Sequence, residues 1–242
     1  MDKNHRVAAS QSFVSQTLLI DADDTLWENN IYFERAIANF ISFVDHRELS
    51  PAEVRAVLNE VEHENTRKHG YGTASFERAL LGCFEQLSTE PVTEHHRRQM
   101  QSFADSIREH PIELLGSVSD TVALLAERHR LILVTKGNIA EQTDKVERSG
   151  LAAYFTALEV PHEKHVSAYS EICDRHSLDA SQTWMIGNSP KSDVNPALAA
   201  GLHAVYIHHP DTWVLEHARL DQPRQGQQLL ELSGFGELLQ WF

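Results

Sequence analysis

The spacing of hydrophobic and polar residues divides the chain into one strand, a long run of helices, and a region where strands and helices alternate. A short apolar run at residues 17–20 is bounded by polar residues, a pattern that predicts a buried strand. From residue 30 to residue 110 the apolar positions recur at helical spacing, and no strand-like segment interrupts them. We therefore expect an all-helical insertion directly after the first strand.

This helical stretch predicts four helices that share a core of their own. The second helix begins at the capping box Ser50–Glu53, and Gly70 and Gly72 end it. The fourth helix ends before Pro111, where the helical pattern also ends. These boundaries predict a helical cap over residues 29–111.

The rest of the chain has the pattern of an α/β domain. Predicted strands alternate with predicted helices, which is typical of a doubly wound parallel sheet. The tail from residue 211 has a partly helical pattern with apolar residues that can pack on the core. We predict a Rossmann-like α/β core built from residues 1–28 and 112–242. Its later strands are predicted at residues 131–134, 155–160, 184–186 and 203–207.

Composition and charge indicate a globular protein and disfavour some classes of binding partner. The 242 residues are 41% hydrophobic and 23% charged, which is ordinary for a globular protein. The net charge of −14 argues against general affinity for nucleic acid or anionic membranes. Residues 1–16 are polar, lack a signal-peptide core and predict a loose lead-in to the first strand. Cys83 and Cys173 predict reduced core thiols in a cytoplasmic protein, while the oligomeric state stays open.

Three carboxylates, Asp21, Asp23 and Asp24, follow the first strand within four positions. The carboxyl ends of parallel strands form the edge at which open α/β sheets bind ligands. Two such charges ~4 Å apart repel each other by about 4 kcal/mol at an effective dielectric constant near ~20. A bound cation or a proton-transfer role would explain this cost, and an Asp-rich turn is the ordinary alternative. We expect Asp24 to order the loop that enters the cap.

A second signal follows the next predicted strand. Thr135, Lys136 and Gly137 precede a helix with a predicted capping box of Asn138 and Glu141. A hydroxyl group beside the free amides of a helix N-terminus is a suitable anion site. An ordinary strand-to-helix connection would have the same pattern, so this signal alone does not decide.

Two further signals follow the third and fourth predicted strands. Lys164 lies in the loop after the third strand, and Asn188 and Asp193 lie in the turn that begins at Gly187. Lys164 alone would indicate a solvated surface charge, and the turn alone a capped helix start. Because all these residues follow strand ends, we expect them to converge on one edge of the sheet.

In this order the signals resemble the four motifs of the haloacid dehalogenase superfamily of phosphohydrolases. Residues 21–26, Asp-Ala-Asp-Asp-Thr-Leu, are similar to the first motif. Thr135, Lys164 and residues 187–193 are similar to the second, third and fourth motifs. The resemblance includes the helical cap, which lies between the first two motifs.

The resemblance implies a Mg²⁺-dependent phosphatase that acts on a small phosphorylated metabolite. Asp21 would be the nucleophile that forms an aspartyl-phosphate, and Asp23 would be the general acid and base, with a raised pKa. The phosphate-binding residues would be Thr135, Lys136, Gly137 and Lys164, of which Thr135 and Lys164 also take part in catalysis. The metal site would comprise Asp21, Asp23 through its backbone carbonyl, Asn188 and Asp193.

The resemblance leaves several functions open. A phosphomutase or phosphotransferase would use the same aspartyl-phosphate, and a haloacid dehalogenase would need neither metal nor an acid at Asp23. A phosphate-binding protein without catalysis is a further alternative, which the intact pair of Asp21 and Asp23 disfavours. Many members of the superfamily have an acidic residue at Asn188, so we expect weaker Mg²⁺ binding here. Candidate substrate contacts near the cap are Trp27, Glu28, Tyr32, Arg35, Tyr71 and Gly72.

Overall fold

A computed structural model describes residues 15–242, so most of the predicted N-terminal lead-in lies outside the described residues. The strands in this part are β1 (Thr17–Ile20), β2 (Arg130–Val134), β3 (Ala157–Glu159), β4 (Thr183–Gly187), β5 (His203–Ile207) and β6 (Leu229–Leu232). They form one parallel sheet in the order β3-β2-β1-β4-β5-β6. The predicted α/β fold with a doubly wound parallel sheet is confirmed, with β1 in its centre.

Alternation along β1 places a hydrophobic core on each face of the sheet. Leu18 and Ile20 belong to the core on one face, whereas Leu19 packs with Ile132 and Tyr169 on the other. The three β1 side chains are completely buried. Burial on both faces explains why residues 17–20 are continuously apolar rather than alternating.

Helices cover both faces of the sheet and also form a separate cluster, which we call the helical unit (residues 30–108). The unit has its own core, in which Phe40, Leu58, Leu80 and Met100 are buried. The insertion after β1 is thus helical as predicted, and its role as a cap stays a prediction. Its helices are α1 (Asn30–Val44), α2 (Pro51–His69), α3 (Thr73–Leu87) and α4 (Glu94–Arg108). The α-helices around the sheet are α5 (Val118–Ala126), α6 (Ile139–Arg148), α7 (Val166–His176) and α8 (Asn195–Ala199).

The tail of the chain differs from its partly helical prediction. Residues 229–232 form β6, which pairs in parallel with β5. Helical character is limited to short 3-10 segments at Val214–Glu216 and Phe235–Gln240. A segment of four residues, here three leucines and Glu231, is too short for its periodicity to distinguish strand from helix. The backbone groups along the edge of β5 decide the outcome, because β6 pairs with them.

The predicted capping box at the start of α6 is only half formed. The Asn138 side chain accepts hydrogen bonds from the backbone amides of Ala140 and Glu141, at 2.9 and 3.2 Å. The Glu141 carboxylate instead accepts hydrogen bonds from Thr73, at 2.7 Å from the hydroxyl and 3.1 Å from the amide. We call the sheet and the helices α5 to α8 around it the sheet domain. Because Thr73 begins α3, Glu141 links this sheet domain to the helical unit.

Two further predictions can be compared with the described residues: the lack of a membrane span and the burial of the cysteines. None of the helices within residues 15–242 is long and apolar enough to cross a membrane. Cys83 and Cys173 are free and buried, as predicted. Burial raises the pKa of both thiols, so they are core side chains rather than reactive thiolates.

One carboxyl group, that of Glu62, lies in the interior of the helical unit. Glu62 of α2 is 7% exposed, and its Oε2 atom has no hydrogen-bond partner. Burial raises the pKa of this carboxyl group from 4.5 to about 7, although Arg55 acts in the opposite direction. The folded protein therefore retains a proton on Glu62 at pH values where the unfolded chain has released it.

We predict that Glu62 makes the folded state less stable as the pH rises. Its folded-state pKa lies above the unfolded value, so the free energy of unfolding falls between pH 4.5 and about 7. Glu62→Gln removes this ionisation, and its stability relative to wild type should increase by about 3 kcal/mol across that window. Urea denaturation at about pH 5 and about pH 8 measures the change.

The matched control is Glu64→Gln, an exposed residue of the same helix that pairs with Lys68. This variant should keep a constant stability difference from wild type at both pH values. An equally constant difference for Glu62→Gln would contradict the prediction.

Candidate active site

The candidate site lies where three neighbouring strands end. In the sheet register, the last residue of β1 lies beside Leu133 of β2 and Ile186 of β4. The backbone amide of Asp21 continues this pairing with a 2.9 Å hydrogen bond to the Ile186 carbonyl. Thr135 and Asn188, which follow β2 and β4, therefore lie at the same edge as Asp21.

Asp21, Lys164 and Asp193 form a buried charged cluster. Nζ of Lys164 donates hydrogen bonds to Oδ1 of Asp21 and, at 2.8 Å, to Oδ1 of Asp193. Burial and the charge of Asp193 raise the pKa of Asp21 to about 7, although Lys164 opposes this. Burial would lower the pKa of Lys164, but the two carboxylates raise it, so the ammonium group stays charged.

Two threonines orient Asn188 within this cluster. The side-chain amide nitrogen of Asn188, Nδ2, donates a hydrogen bond to Oγ1 of Thr212 at 3.1 Å, which leaves the side-chain oxygen facing the site. Oγ1 of Thr25 lies 3.3 Å from this oxygen and 2.9 Å from Oδ2 of Asp21. Thr25 thus connects Asp21 to Asn188. The backbone amide of Asn188 also donates a hydrogen bond to Oγ1 of Thr25 at 3.1 Å.

The turn after β4 holds Asp193 in place. Its Oδ2 accepts a hydrogen bond from the Ser189 amide at 2.9 Å. A Cβ atom at Gly187 would lie 2.2 Å from this same Oδ2, so glycine is required to leave room for the carboxylate. The hydroxyl of Tyr169 supports the turn by donating to the Ser192 carbonyl at 2.8 Å.

Asp23 lies at the same edge but has a separate set of partners. Its carboxylate accepts hydrogen bonds from Lys145 and Trp27, both at 2.8 Å, and from Gln142 at 3.1 Å. Burial would raise the pKa of Asp23, but these three donors, led by Lys145, lower it. The predicted raised pKa of Asp23 is therefore wrong for this arrangement, because Lys145 and the two other donors outweigh the effect of burial.

Lys136 lines the site, but its ammonium group already has partners. Nζ donates to Glu216 at 2.7 Å, to Ser192 at 2.9 Å and to the Tyr71 hydroxyl at 3.3 Å. A lysine has three such donors, so the predicted phosphate contact requires the exchange of one partner. Burial would raise the pKa of Glu216, but Lys136 lowers it, which keeps this pair charged.

Gly137 and Thr135 form the connection between β2 and α6. Gly137 has φ +140°, and a Cβ atom there would lie 2.8 Å from Nε2 of Gln142. The missing side chain thus leaves Gln142 free to contact Asp23. The buried hydroxyl of Thr135 has only a long 3.3 Å hydrogen bond, to the Lys136 carbonyl, and is available for a stronger acceptor.

The eight predicted site residues line one cavity of about 500 Å³, between the sheet edge and the helical unit. This volume suits a small-molecule ligand. The helical unit contributes apolar lining residues, which are Phe33, Ile37, Phe76, Ala79 and Ile107, and also polar ones such as Glu62 and Ser75. The lining residues from the sheet domain include Asp21, Asp23, Thr135, Lys136, Gly137, Lys164, Asn188 and Asp193.

The predicted substrate contacts near the cap divide into two groups. Tyr71 and Gly72, at the bend between α2 and α3, line the cavity. Trp27 is 1% exposed and bonds Asp23 from within the core, and Tyr32 stacks on His110 with ring centroids 3.8 Å apart. Trp27 and Tyr32 thus face the protein interior, whereas Arg35 is exposed. The predicted contacts that do not line the cavity are Trp27, Glu28, Tyr32 and Arg35.

Asp24 orders the chain that enters the helical unit, as predicted. Its Oδ1 accepts hydrogen bonds from the backbone amides of Asn29 and Asn30, at 2.8 and 2.9 Å. Ligand atoms of Asp24, Glu28 and His209 lie within 4.8 Å of one another. The hydrogen bonds from these two backbone amides show that Asp24 stabilises the start of α1. The cluster of Asp24, Glu28 and His209 contains none of the predicted metal residues.

The oxygen atoms of Asp21, Asn188 and Asp193 fit a Mg²⁺ site. Two are carboxylates and the third is an amide oxygen, the hard donors that Mg²⁺ prefers. Asp21 and Asp193 share the single ammonium group of Lys164, which leaves part of the negative charge uncompensated. A divalent cation would supply that positive charge. The Asp23 side chain, which pairs with Lys145, is not part of this donor set.

Several site residues have no counterpart in the predicted set. Thr25 lies inside the first quoted motif, so its position was visible but its contacts were not. Gln142 and Lys145 are three positions apart on α6, a spacing that places both on one helix face toward Asp23. Thr212 and Glu216 come from the tail, where no motif pointed to the site.

Comparisons with known proteins agree with this architecture. The family model of haloacid dehalogenase-like hydrolases matches residues 16–201. A haloacid dehalogenase-like family hydrolase from Xanthomonas campestris is 27% identical, with 92% of each chain covered and a TM-score of 0.75. No curated protein matches the chain.

Two more distant structures share the fold. One is a candidate HAD-hydrolase, YfnB from Bacillus subtilis, bound to magnesium: 18% identity, TM-score 0.63, covering 94% of this chain and 98% of that one. The other is a 2-haloacid dehalogenase from Pseudomonas syringae pv. Tomato DC3000: 20% identity, TM-score 0.61, covering 94% and 97%. With the family model matching more than half of its length, this chain belongs to the haloacid dehalogenase-like hydrolases.

Proposed function

We propose that this hydrolase is a Mg²⁺-dependent phosphatase that cleaves a phosphomonoester of a small metabolite through an aspartyl-phosphate on Asp21. The observation that carries the proposal is the buried cluster of Asp21, Lys164 and Asp193 beside the Asn188 oxygen. It combines a carboxylate nucleophile, a fixed cation and oxygen donors for a metal ion. A dianionic phosphoryl group needs this combination.

Asp21 and Asp23 would divide the chemistry between them. Asp21 attacks phosphorus, and the bond to the leaving oxygen breaks on the opposite side. Asp23 protonates that oxygen and then takes a proton from the water that hydrolyses the aspartyl-phosphate. In the present arrangement Lys145 keeps Asp23 ionised. A bound phosphate dianion would counteract Lys145, because a nearby negative charge raises the pKa of a carboxyl group.

The remaining groups would bind the phosphate. Lys164 and the Thr135 hydroxyl donate hydrogen bonds to its oxygens, and the backbone amides near Gly137 offer further donors. Mg²⁺, when bound, neutralises phosphate charge and orients the phosphoryl group for attack. Asn188 and Asp193 would hold the ion together with Asp21 and the Asp23 carbonyl.

A haloacid dehalogenase is the second candidate, supported by the fold it shares with the P. syringae enzyme. Asp23 and the oxygen donors of Asn188 and Asp193 favour the phosphatase, because carbon–halogen hydrolysis needs neither. A phosphomutase or phosphotransferase would use the same residues and differ in the group that receives the phosphoryl. A binding protein without catalysis would leave the buried nucleophile unexplained.

The deciding experiment compares phosphate and halide release by the purified protein. We expect phosphate release from an aryl phosphate with added Mg²⁺ and loss of that activity in excess EDTA, restored by Mg²⁺. A short 2-chloro acid serves as the competing substrate. Halide release that persists in EDTA, with no phosphate release, would overturn the phosphatase proposal.

Asp21→Asn should reduce kcat for the aryl phosphate by at least about a thousandfold, because an amide is not a competent nucleophile. Steady-state kinetics measures the loss, and circular dichroism verifies the fold. Asp120→Asn, an exposed residue at the start of α5, is the matched control and should keep wild-type activity. Full activity in Asp21→Asn would rule out the covalent mechanism.

Asn188→Asp should bind Mg²⁺ about tenfold more tightly, because it adds a negative charge to the donor set. Calorimetric titration of the resting protein with Mg²⁺ measures this independently of turnover. Asn59→Asp adds the same charge on α2 at a position that is not among the lining residues, and it should leave the affinity unchanged. An Asn188→Asp affinity equal to that of wild type would show that Asn188 is not near the ion.

A further inference from the structure

The far wall of the cavity contains two polar groups without partners. Glu62 and Ser75 line the cavity and are 7% and 3% exposed. Glu62 Oε2 and Ser75 Oγ both lack a hydrogen-bond partner within the described residues. They are surrounded by apolar lining residues of the helical unit: Phe33, Ile37, Phe76, Ala79 and Ile107.

Packing does not explain a glutamate at this position. Glu62 follows Val54, Leu58 and Val61 on the buried side of α2, where an apolar side chain would complete the core. An unpaired carboxyl group in such surroundings costs free energy. The same cost applies, on a smaller scale, to the Ser75 hydroxyl. A ligand group that pairs with them would remove it.

The neighbouring cations do not serve as partners for Glu62. The guanidinium of Arg55 is bound to Glu34 at 3.0 and 2.7 Å and to Asn59 at 2.9 Å. Arg108, which also lines the cavity, pairs with Asp105 at 2.8 Å. Among the described lining residues of the helical unit, Glu62 is the sole acid. The cavity thus has a phosphate-binding end at the sheet and a hydrogen-bond acceptor at its helical end.

We propose that Glu62, assisted by Ser75, binds a hydrogen-bond donor at the end of the substrate remote from the phosphate. The substrate is then a phosphomonoester whose mainly apolar carbon skeleton spans the cavity and ends in an amine or a hydroxyl group. This inference rests on the proposed phosphatase function and specifies its substrate class. The apolar side chains between the two ends contact the skeleton and exclude water around Glu62.

The test compares three series of alkyl phosphates of increasing length, ending in an ammonium, a hydroxyl or a methyl group. At the best length, kcat/KM of wild type should favour a donor-ended phosphate over its methyl-ended match by at least about tenfold. Glu62→Leu should reduce this ratio to about one. Glu62→Gln should keep a preference for the hydroxyl series and lose one for the ammonium series, which identifies the donor.

Glu64→Gln, on the exposed side of α2, is the matched control and should keep the wild-type ratio. Equal turnover of the three series by wild type, or an unchanged ratio in Glu62→Leu, would overturn the inference. Calorimetric binding of the same compounds in the Asp21→Asn background tests the Glu62 contact without turnover. Absence of phosphate release from every phosphate would therefore overturn the proposed function, while the binding series still decides the role of Glu62.

Discussion

The buried ammonium group of Lys164 is the interaction on which the site depends. Asp21 follows the central strand and Asp193 follows its neighbour, so the parallel sheet brings two carboxylates together out of contact with water. Without Lys164 both would repel each other in a medium that screens charge poorly. Removing one partner of such a buried ion pair typically costs about 3–5 kcal/mol. The loop after β3 is therefore tied to the ends of β1 and β4 by charge as well as by chain connectivity.

The same constraint connects fold to chemistry. A single lysine faces two carboxylates and leaves part of their negative charge uncompensated. A divalent metal ion would offset this negative charge and so allow an anionic phosphate group to bind beside the carboxylates. Gly187 permits the arrangement, since any side chain there would displace the Asp193 carboxylate. The site thus has its charges and backbone in position before a ligand arrives.

Contacts between the sheet domain and the helical unit lie beside this site. Lys145 of α6 bonds both Asp23 and the Asn29 side chain at 2.8 Å, next to the chain that leads into α1. Glu141 on the same helix bonds Thr73. One helix of the sheet domain thus contacts both Asp23 and the helical unit. Substrate groups held by the helical unit would in this way be positioned relative to the reacting phosphate.

The sequence was sufficient to predict the features that depend on short-range pattern. Strand ends carry Asp21, Thr135 and Asn188, and parallel pairing brings strand ends together, so convergence followed from topology. Lys145, the ion-pair partner of Asp23, and Thr73, the partner of Glu141, lie 122 and 68 positions away, and no local spacing contains such contacts. For this reason the pKa of Asp23 was predicted in the wrong direction and the capping box was predicted complete. The strand β6 was missed because a four-residue segment with three leucines does not fix its own structure by periodicity, and pairing with β5 makes it a strand.

The most direct test of the account is to locate the phosphoryl group during turnover. Acid quenching within one turnover of an aryl phosphate, followed by borohydride reduction, converts an aspartyl-phosphate to homoserine at the modified position. Peptide mass spectrometry should then find homoserine at Asp21 in the wild-type protein supplied with Mg²⁺. Homoserine at another aspartate, or none at all while phosphate is being released, would contradict Asp21 as the nucleophile.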